Sequence, residues 1–224
     1  MTSDLQLILV RHGETEWTER GLLHGRLDSP LSARGRNHAE QAALRLHGEH
    51  FDAFYSSPQG RALETATIIG RATGLNPQPV EGLREAHYGW LEGRPIVRYD
   101  PAGLGTKMLR PVTMALLRLT GERPHQIADR VRQAIETITA QHPRGRVLVV
   151  THWGVLNMIM ACLVDRDPGV WKDHGPWAAC GITELHSPDG VPPDGGAQPK
   201  QGQALSWRVV HLNDSAHLRE EKPA

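Results

Sequence analysis

Short apolar runs alternate with longer amphipathic segments along most of the chain. The apolar runs are LQLILV at 5–10, AFYS at 53–56 and VLVV at 147–150. The amphipathic segments cover about 33–47, 61–73 and 126–141. Short apolar runs are typical of buried strands, and apolar residues recurring every three or four positions are typical of helices. The alternation predicts an α/β fold with a largely parallel sheet.

Local signals set the ends of several predicted elements. Ser32 is suited to cap the helix that starts at about residue 33, and Gly74 is suited to end the helix 61–73. Residues 155–164 are apolar on nearly every side, which predicts a buried helix. The segments 181–187 and 206–212 predict a late pair of strands.

We predict one domain over residues 1–224. Two regions are poor in regular pattern. Residues 94–122 carry Pro95, Pro101 and Pro111, and we expect an insertion there over the end of the sheet. Residues 188–203 hold four prolines and four glycines, a composition that predicts an exposed loop.

Composition narrows the class of protein. The 224 residues are 39% hydrophobic and 22% charged, with a formal net charge of zero. A neutral chain without a lysine or arginine run predicts no nucleic-acid partner and no membrane surface. The start of the chain lacks the pattern of a signal peptide, and no apolar run is long enough to span a bilayer. The two cysteines, Cys162 and Cys180, fit buried thiols in a reducing compartment, so we expect a cytoplasmic protein.

Two predicted strands end in a histidine. His12 follows the run 5–10 and His152 follows the run 147–150. Ligands of open α/β sheets bind outside the carboxyl ends of the strands. If these strands are neighbours, both imidazoles point into one crevice.

Two arginines add permanent positive charge to these positions. Arg11 precedes His12, and Arg61 begins a predicted helix. Guanidinium groups match phosphoryl oxygens in geometry and stay charged at any working pH. Arg61 conflicts with the positive end of its helix dipole, and a bound anion would resolve that conflict. The pattern therefore predicts a local phosphate site.

The same residues lie in blocks that resemble those of the histidine phosphatase superfamily, which includes the cofactor-dependent phosphoglycerate mutases. The similar blocks are RHGET at 11–15, GRLDSPLS at 25–32, SSPQGRALETA at 56–66, LRE at 83–85 with LEG at 91–93, and THWG at 151–154. Leu212-Asn213-Asp214 and His217-Leu218 are weakly similar to the family's last block. The blocks follow the family's order over nearly the whole chain.

The resemblance implies a three-layer α/β/α sandwich of the phosphoglycerate mutase type, with a mostly parallel central sheet. It also implies roles for five residues. His12 is the expected nucleophile that becomes a phosphohistidine, and Glu85 is the expected proton donor. Arg11, Arg61 and His152 are expected to hold the phosphoryl oxygens. Fixed cations of this kind can replace a metal ion, so we expect no metal and no cofactor.

The chain departs from the family pattern at four places. Thr18 stands where asparagine is common, His24 where glutamine is common, and Trp153 where glycine is common. Ala179-Cys180-Gly181 replaces a common Asn-x-Ser. These changes leave the phosphate-holding residues intact and alter the predicted substrate contacts of Thr18, His24 and Trp153.

The sequence therefore predicts a metal-independent phosphoric monoester hydrolase that acts on a small phosphorylated metabolite. One alternative is a phosphoglycerate mutase, although the stretch from Ala86 to Thr151 is shorter than in the mutases of this family and lacks an adjacent arginine pair. Another is a phospho-ligand-binding protein without catalysis. The physiological substrate is not readable from the sequence, and a homodimer remains an open alternative.

Overall fold

The computed structural model describes residues 4–95, 119–165, 174–175, 177–187 and 207–218. The strands are β1 (Leu5–Arg11), β2 (Ala53–Ser56), β3 (Gln78–Pro79), β4 (Gly145–Thr151), β5 (Ile182–Ser187) and β6 (Arg208–Asp214). The helices are α1 (Glu16–Glu19), α2 (Ala33–Leu46), α3 (Gly60–Thr73), α4 (Pro124–Gln141) and α5 (Trp153–Met160), with 3₁₀ turns at Glu81–Leu83 and Gly89–Leu91. A π-helical turn, Ala161–Asp165, continues α5.

The described strands form one sheet in the order β3-β2-β4-β1-β5-β6. The pairs β3-β2, β2-β4 and β4-β1 are parallel, whereas β5 runs antiparallel to both neighbours. The predicted α/β fold with a mostly parallel sheet is confirmed. Most of the predicted insertion at 94–122 and all of the predicted loop at 188–203 lie outside the described residues. The prediction of a single domain over 1–224 therefore stays a prediction.

Strand β1 is buried on both faces, which fixes the three layers. Leu7 and Leu9 belong to a core cluster with α4 and α5, whereas Ile8 and Val10 belong to a second cluster with α2 and α3. Alternate residues of a strand point to opposite faces, so a run that is apolar at every position needs helices on both sides. Each such side chain contributes about 1.5–3 kcal/mol when fully buried. The central strand β1 therefore contributes to the hydrophobic core on both faces of the sheet.

Most predicted helix ends agree with the structure. The Ser32 hydroxyl accepts a hydrogen bond from the backbone N–H of Gly35, which caps α2 as predicted. Gly74 ends α3 with a φ of 73°, in the left-handed region that suits glycine. Helix α4 begins at Pro124, two residues before the predicted start, because proline is favoured in the first turn of a helix. Helix α5 begins at Trp153, also two residues before the predicted start, and the chain then changes to a π-helical turn.

The sheet brings the two predicted histidine positions together. Strands β1 and β4 pair in register, with Arg11 opposite Thr151. The N–H of His12 donates to the carbonyl of Thr151 at 2.9 Å. Both strands therefore end at one edge, as the sequence predicts. Of the helices that the structure describes, none combines the length and the apolar character needed to cross a membrane.

Candidate active site

His12 is buried directly after β1, with its ring held in one orientation. Its Nδ1 lies 2.7 Å from the carbonyl oxygen of Gly13. A carbonyl can only accept, so Nδ1 carries the proton and Nε2 keeps a lone pair when the ring is neutral. Burial, followed by the charges of Arg61 and Arg11, lowers the pKa of His12 well below its usual value of 6.5. His12 is therefore a neutral imidazole with an available Nε2 near pH 7.

His152 lies beside His12, after the neighbouring strand β4. The two ring centroids are 5.1 Å apart. The Nε2 of His152 is 2.7 Å from the Ser57 hydroxyl, which fixes the ring from the opposite side. Burial, followed by the charge of Arg61, lowers the pKa of His152 well below 6.5. Both rings are therefore uncharged before an anion binds, and a bound dianion would favour their charged forms.

Arg61, at the start of α3, is almost fully buried and is fixed by the turn 25–28. Its Nη1 donates to the carbonyl of Leu27 and to a carboxylate oxygen of Asp28, each at 2.9 Å. Its Nη2 donates to the carbonyl of Gly25 at 2.9 Å. Asp28 also accepts the N–H of Gly60. The Asp28 carboxylate therefore already offsets part of the dipole conflict predicted at Arg61, and the expectation that a bound anion resolves it stays a prediction.

Arg11 comes from the last position of β1 and is held by the segment before β5. Its Nη1 donates to the carbonyl of Trp177 at 2.6 Å. Its backbone carbonyl accepts the N–H of Cys180 at 3.0 Å. Trp177 and Cys180 both have positive φ values, 40° and 60°, which non-glycine residues adopt only when the surroundings enforce them. The constrained segment therefore fixes Arg11 through both backbone and side chain.

Three buried donors or ring nitrogens of this group remain unused within the described part of the chain. Arg11 Nε, Arg61 Nε and His152 Nδ1 are buried and have no hydrogen-bond partner there. Buried polar atoms are nearly always hydrogen-bonded, and exceptions call for an explanation such as a ligand. The atoms belong to side chains close enough to His12 to shift its pKa or to contact its ring. The site is suited to an oxyanion with several oxygens.

Glu85 follows the 3₁₀ turn Glu81–Leu83 and is buried. Its two carboxylate oxygens accept from the N–H groups of Ala86, at 2.8 Å, and Gly154, at 3.1 Å. Its charge influences the pKa values of Arg11 and Arg61, which places it beside the guanidinium pair. Glu85 is the only one of the five predicted catalytic residues with a carboxylate, and its role as proton donor stays a prediction.

His24 and Thr18 lie on the outer side of the same site. The Nε2 of His24 is 2.6 Å from the Thr15 hydroxyl, which is 3.0 Å from the Thr18 hydroxyl. The His24 ring centroid is 6.3 Å from that of His12 and 5.5 Å from that of Trp17. Burial, followed by the charges of Arg61 and Arg11, lowers the pKa of His24 to about 4. His24 is therefore a neutral hydrogen-bonding group, and it is half-buried.

The sequence of this chain matches a protein-family model. The model of the histidine phosphatase superfamily (branch 1) matches residues 7–192. The chain belongs to the histidine phosphatase superfamily. The match includes all five residues to which the sequence resemblance assigned catalytic roles.

Relatives matched over two thirds or more of this chain agree with this membership. The chain is 33% identical over 219 residues to "Putative phosphoserine phosphatase 2" of Hydrogenobacter thermophilus, covering 96% of this chain and 98% of that protein. It is 36% identical over 160 residues to the "Metal-independent phosphoserine phosphatase" of Arabidopsis thaliana, covering 69% and 66%. Other relatives, 29% to 34% identical, carry the name "Probable phosphoglycerate mutase GpmB".

A solved structure supports the fold. Bacillus stearothermophilus YhfR superposes with a TM-score of 0.73 at 30% identity, covering 96% of this chain and all of that one. The predictions of the family, of the phosphoglycerate mutase-like fold and of a phosphomonoester hydrolase are confirmed.

The histidine phosphatase site contains most of the residues that the sequence predicts for it. His12, Arg61 and His152 are buried, Arg11 is half-buried, and Glu85 lies beside them. Trp153, the first residue of α5, packs half-buried against the core cluster of that face, so its predicted substrate contact stays a prediction. In the described ranges, no group of three or more histidine, cysteine, aspartate or glutamate side chains is arranged to hold a metal ion.

Sequence reasoning missed several residues that support the histidine phosphatase site. Asp28 and Ser57 lie inside the family-like blocks at 25–32 and 56–66. Their polar side chains, which contact Arg61 and His152, were the signal from which their supporting role could have been predicted. Trp177 contributes only its backbone carbonyl, which no sequence pattern reveals. Tyr88 is a further neighbour, since burial and then the charge of Glu85 raise its pKa well above 10.

Proposed function

We propose that this chain hydrolyses a small phosphomonoester through a phosphohistidine on His12, and that phosphoserine is the first substrate to test. One observation carries the chemistry: the His12 ring is fixed with Nε2 available, beside two guanidinium groups and a second imidazole that have unused buried nitrogens. The substrate class is supported by the relatives named phosphoserine phosphatase.

The first half of the reaction transfers the phosphoryl group to the enzyme. Nε2 of His12 forms a bond to phosphorus while the bond from phosphorus to the ester oxygen breaks. Glu85, in its protonated form, gives its proton to the departing oxygen. Arg11, Arg61 and His152 offset the charge on the equatorial oxygens, the role that metal ions have in many phosphoryl-transfer enzymes.

The second half returns the enzyme to its starting state. Glu85, now a carboxylate, takes a proton from water, and the water oxygen attacks phosphorus. The bond between phosphorus and Nε2 breaks, and inorganic phosphate leaves. The hydrogen bond from Nδ1 to Gly13 keeps the ring in place throughout both steps.

Phosphohistidine trapping tests this proposal. Radiolabelled phosphoserine is mixed with excess enzyme and quenched in alkali within milliseconds. Label that stays on the protein in alkali, is lost in acid and is absent from His12→Ala supports the intermediate. Turnover without any trapped label, under conditions where a control histidine phosphatase is labelled, would contradict it. Full activity in excess EDTA is the accompanying expectation for a site built from guanidinium groups.

The mutase names among the relatives support one second candidate, phosphoglycerate mutation. A mutase would isomerise 3-phosphoglycerate faster than it releases phosphate once 2,3-bisphosphoglycerate is added. We expect phosphate release to dominate. The same assay with phosphoserine gives the reference rate, so a mutase and an enzyme with poor activity on both substrates are told apart.

A further inference from the structure

Gln59 immediately precedes α3, yet its side chain does not cap that helix. The backbone carbonyl of Gln59 accepts from the first turn, at 2.9 Å from the nitrogen of Leu63. Asp28 supplies the side-chain cap instead, since it accepts the N–H of Gly60. The Gln59 amide is therefore available for another purpose, although it occupies the position where capping residues normally act.

The buried Gln59 amide joins two loops of the site. Its Oε1 accepts the backbone N–H of Glu85 at 2.7 Å. Its Nε2 donates to the carbonyls of Gly25, at 2.9 Å, and Arg26, at 3.3 Å. Both amide hydrogens and the oxygen are thus used. A buried amide is costly unless it is hydrogen-bonded, and here all of its bonds go to backbone of other segments.

The two loops carry opposite parts of the proposed chemistry. The Gly25 carbonyl that accepts from Gln59 also accepts from Nη2 of Arg61 at 2.9 Å. The other loop contains Glu85, the proposed proton donor. Gly25 has a φ of 59°, and a Cβ there would lie 2.1 Å from the Glu92 carboxylate, so this turn requires glycine at position 25. The Gln59 amide therefore connects the Gly25 carbonyl, which binds Arg61, to the backbone of Glu85, the proposed acid.

We propose that Gln59 is a positioning residue that sets the spacing between the Glu85 carboxyl group and the Arg61 guanidinium. Glutamine is suited to this task because one planar group holds an N–H and a carbonyl from different segments at a fixed separation. The inference rests on the proposed function, since it assigns Glu85 the role of proton donor. It adds a residue that touches neither phosphate nor leaving group.

The test is Gln59→Leu, which keeps the approximate volume and removes every hydrogen bond of the amide. Small displacements of catalytic groups cost up to about 10²-fold in rate. We expect kcat to fall about 10- to 100-fold with phosphoserine, whose alkoxide needs protonation, and clearly less with para-nitrophenyl phosphate. A merely structural role would lower both rates by the same factor.

A double-mutant cycle with Glu85→Gln completes the experiment, because residues that act through one another show non-additive effects. In the Glu85→Gln background, Gln59→Leu should cause almost no further loss on phosphoserine. Equal losses on both esters, or the same loss in both backgrounds, would overturn the positioning role. If Glu85→Gln alone does not discriminate between the esters, the proposed acid is wrong and the Gln59 inference falls with it, so the two failures are distinguishable.

Two further variants guard against a general folding defect. Tyr55→Phe removes a hydroxyl that contacts Gln141 and His142 at 3.0 and 2.9 Å rather than any residue of the site, and it should leave the ratio of the two ester rates unchanged. Gln59→Met, unbranched and unable to replace the hydrogen bonds, substitutes for Gln59→Leu if that variant does not fold. An ester ratio that moves equally in Tyr55→Phe would count against the inference.

Discussion

The two sides of the active site are built differently. In the proposed mechanism the phosphate half consists of Arg11, His12, Arg61 and His152. We propose that the leaving-group half consists of Thr18 and His24, with Trp17 packed against His24. Three of the four residues in the phosphate half are buried, and they follow paired strands or begin a long helix. The leaving-group half lies on the four-residue helix α1 and the loop after it, and its side chains are half-exposed. The proposed chemistry therefore lies on the framework of strands and long helix, and the proposed substrate contacts lie where sequence changes cost little stability.

Two of the four departures from the family pattern, Thr18 and His24, belong to the proposed leaving-group half. A third, Trp153, begins α5 directly after His152. No departure falls on the four residues of the phosphate half, although Ala179-Cys180-Gly181 lies next to the backbone of Arg11. The comparison teaches that the predicted reaction type rests on four residues that keep the family pattern, whereas the departures from that pattern fall on residues beside them.

The largest expected effect comes from His12→Ala. This variant removes the atom that the proposed mechanism bonds to phosphorus, while Arg11, Arg61 and His152 remain. Loss of a nucleophile that works as a unit with its neighbours typically costs on the order of 10⁴-fold or more. The measurement is kcat with para-nitrophenyl phosphate and with phosphoserine.

The control for His12→Ala is His50→Ala, because the His50 ring is largely exposed and pairs with Asp52 at 3.4 Å. It should behave as wild type. A His12→Ala enzyme whose kcat lies within tenfold of the wild-type value on either ester would contradict the nucleophile assignment. A tenfold loss corresponds to only about 1.4 kcal/mol of activation free energy.

Glu85→Gln probes the boundary between the two halves. The amide keeps the size of the side chain and accepts from Gly154 or Ala86, but it cannot donate a proton as a carboxylic acid does. General acid catalysis contributes about 10²- to 10⁴-fold. The expected loss is of that order for phosphoserine and clearly smaller for para-nitrophenyl phosphate, whose phenolate leaves without help.

The shape of the pH profile of kcat gives a second readout for Glu85→Gln, since one titrating group is removed. Equal losses on both esters would mark Glu85 as a residue that only organises the pocket.

His24→Ala tests the leaving-group half alone. His24 offers a neutral imidazole that bonds to Thr15, and a net hydrogen bond is worth about 0.5–1.5 kcal/mol, or about 2- to 12-fold. We expect kcat/KM for phosphoserine to fall within that range, while inhibition by inorganic phosphate stays unchanged. Steady-state kinetics with phosphate as competitive inhibitor measures both. A matching loss of phosphate affinity would place His24 in the phosphate half and erase the division.

The same division explains which features the sequence could predict. Strand β1 is apolar at every position from 5 to 10 except Gln6, so its burial and the exit of His12 at its end follow from the pattern alone, whereas the three layers were predicted from the family resemblance. Arg61 and His152 could be predicted because each lies in a short continuous block of the sequence that resembles a block of the family. Residues 94–122 gave no period, and the structure describes only their two ends.

Contacts between distant segments could not be predicted. Gln59 meets Glu85 across 26 positions, and Trp177 meets Arg11 across 166. Trp177 contributes only a carbonyl, which every residue has. The amide of Gln59 is equally suited to solvent at the surface, and only the tertiary fold decides that it is buried between two loops.

The smallest expected effect concerns stability rather than rate. Burial is the largest cause that lowers the pKa of four histidines, His12, His24, His152 and His217, with His24 lowered to about 4. In the unfolded chain these rings take up protons near pH 6.5. As the pH falls below that value, the unfolded state binds more protons than the folded state, so the free energy of unfolding decreases between about pH 6.5 and 4.

His24→Gln removes one of these rings and should flatten the fall of Tm over that interval. For a chain of this size about 1 kcal/mol corresponds to about 2–4 °C, so calorimetry at several pH values resolves the difference. His50→Gln, on the surface, is the matched exchange and should keep the wild-type slope. A His24→Gln slope that equals the wild-type slope would show that His24 is protonated as readily in the fold as in the unfolded chain, and the neutral imidazole assigned to the leaving-group half would be wrong.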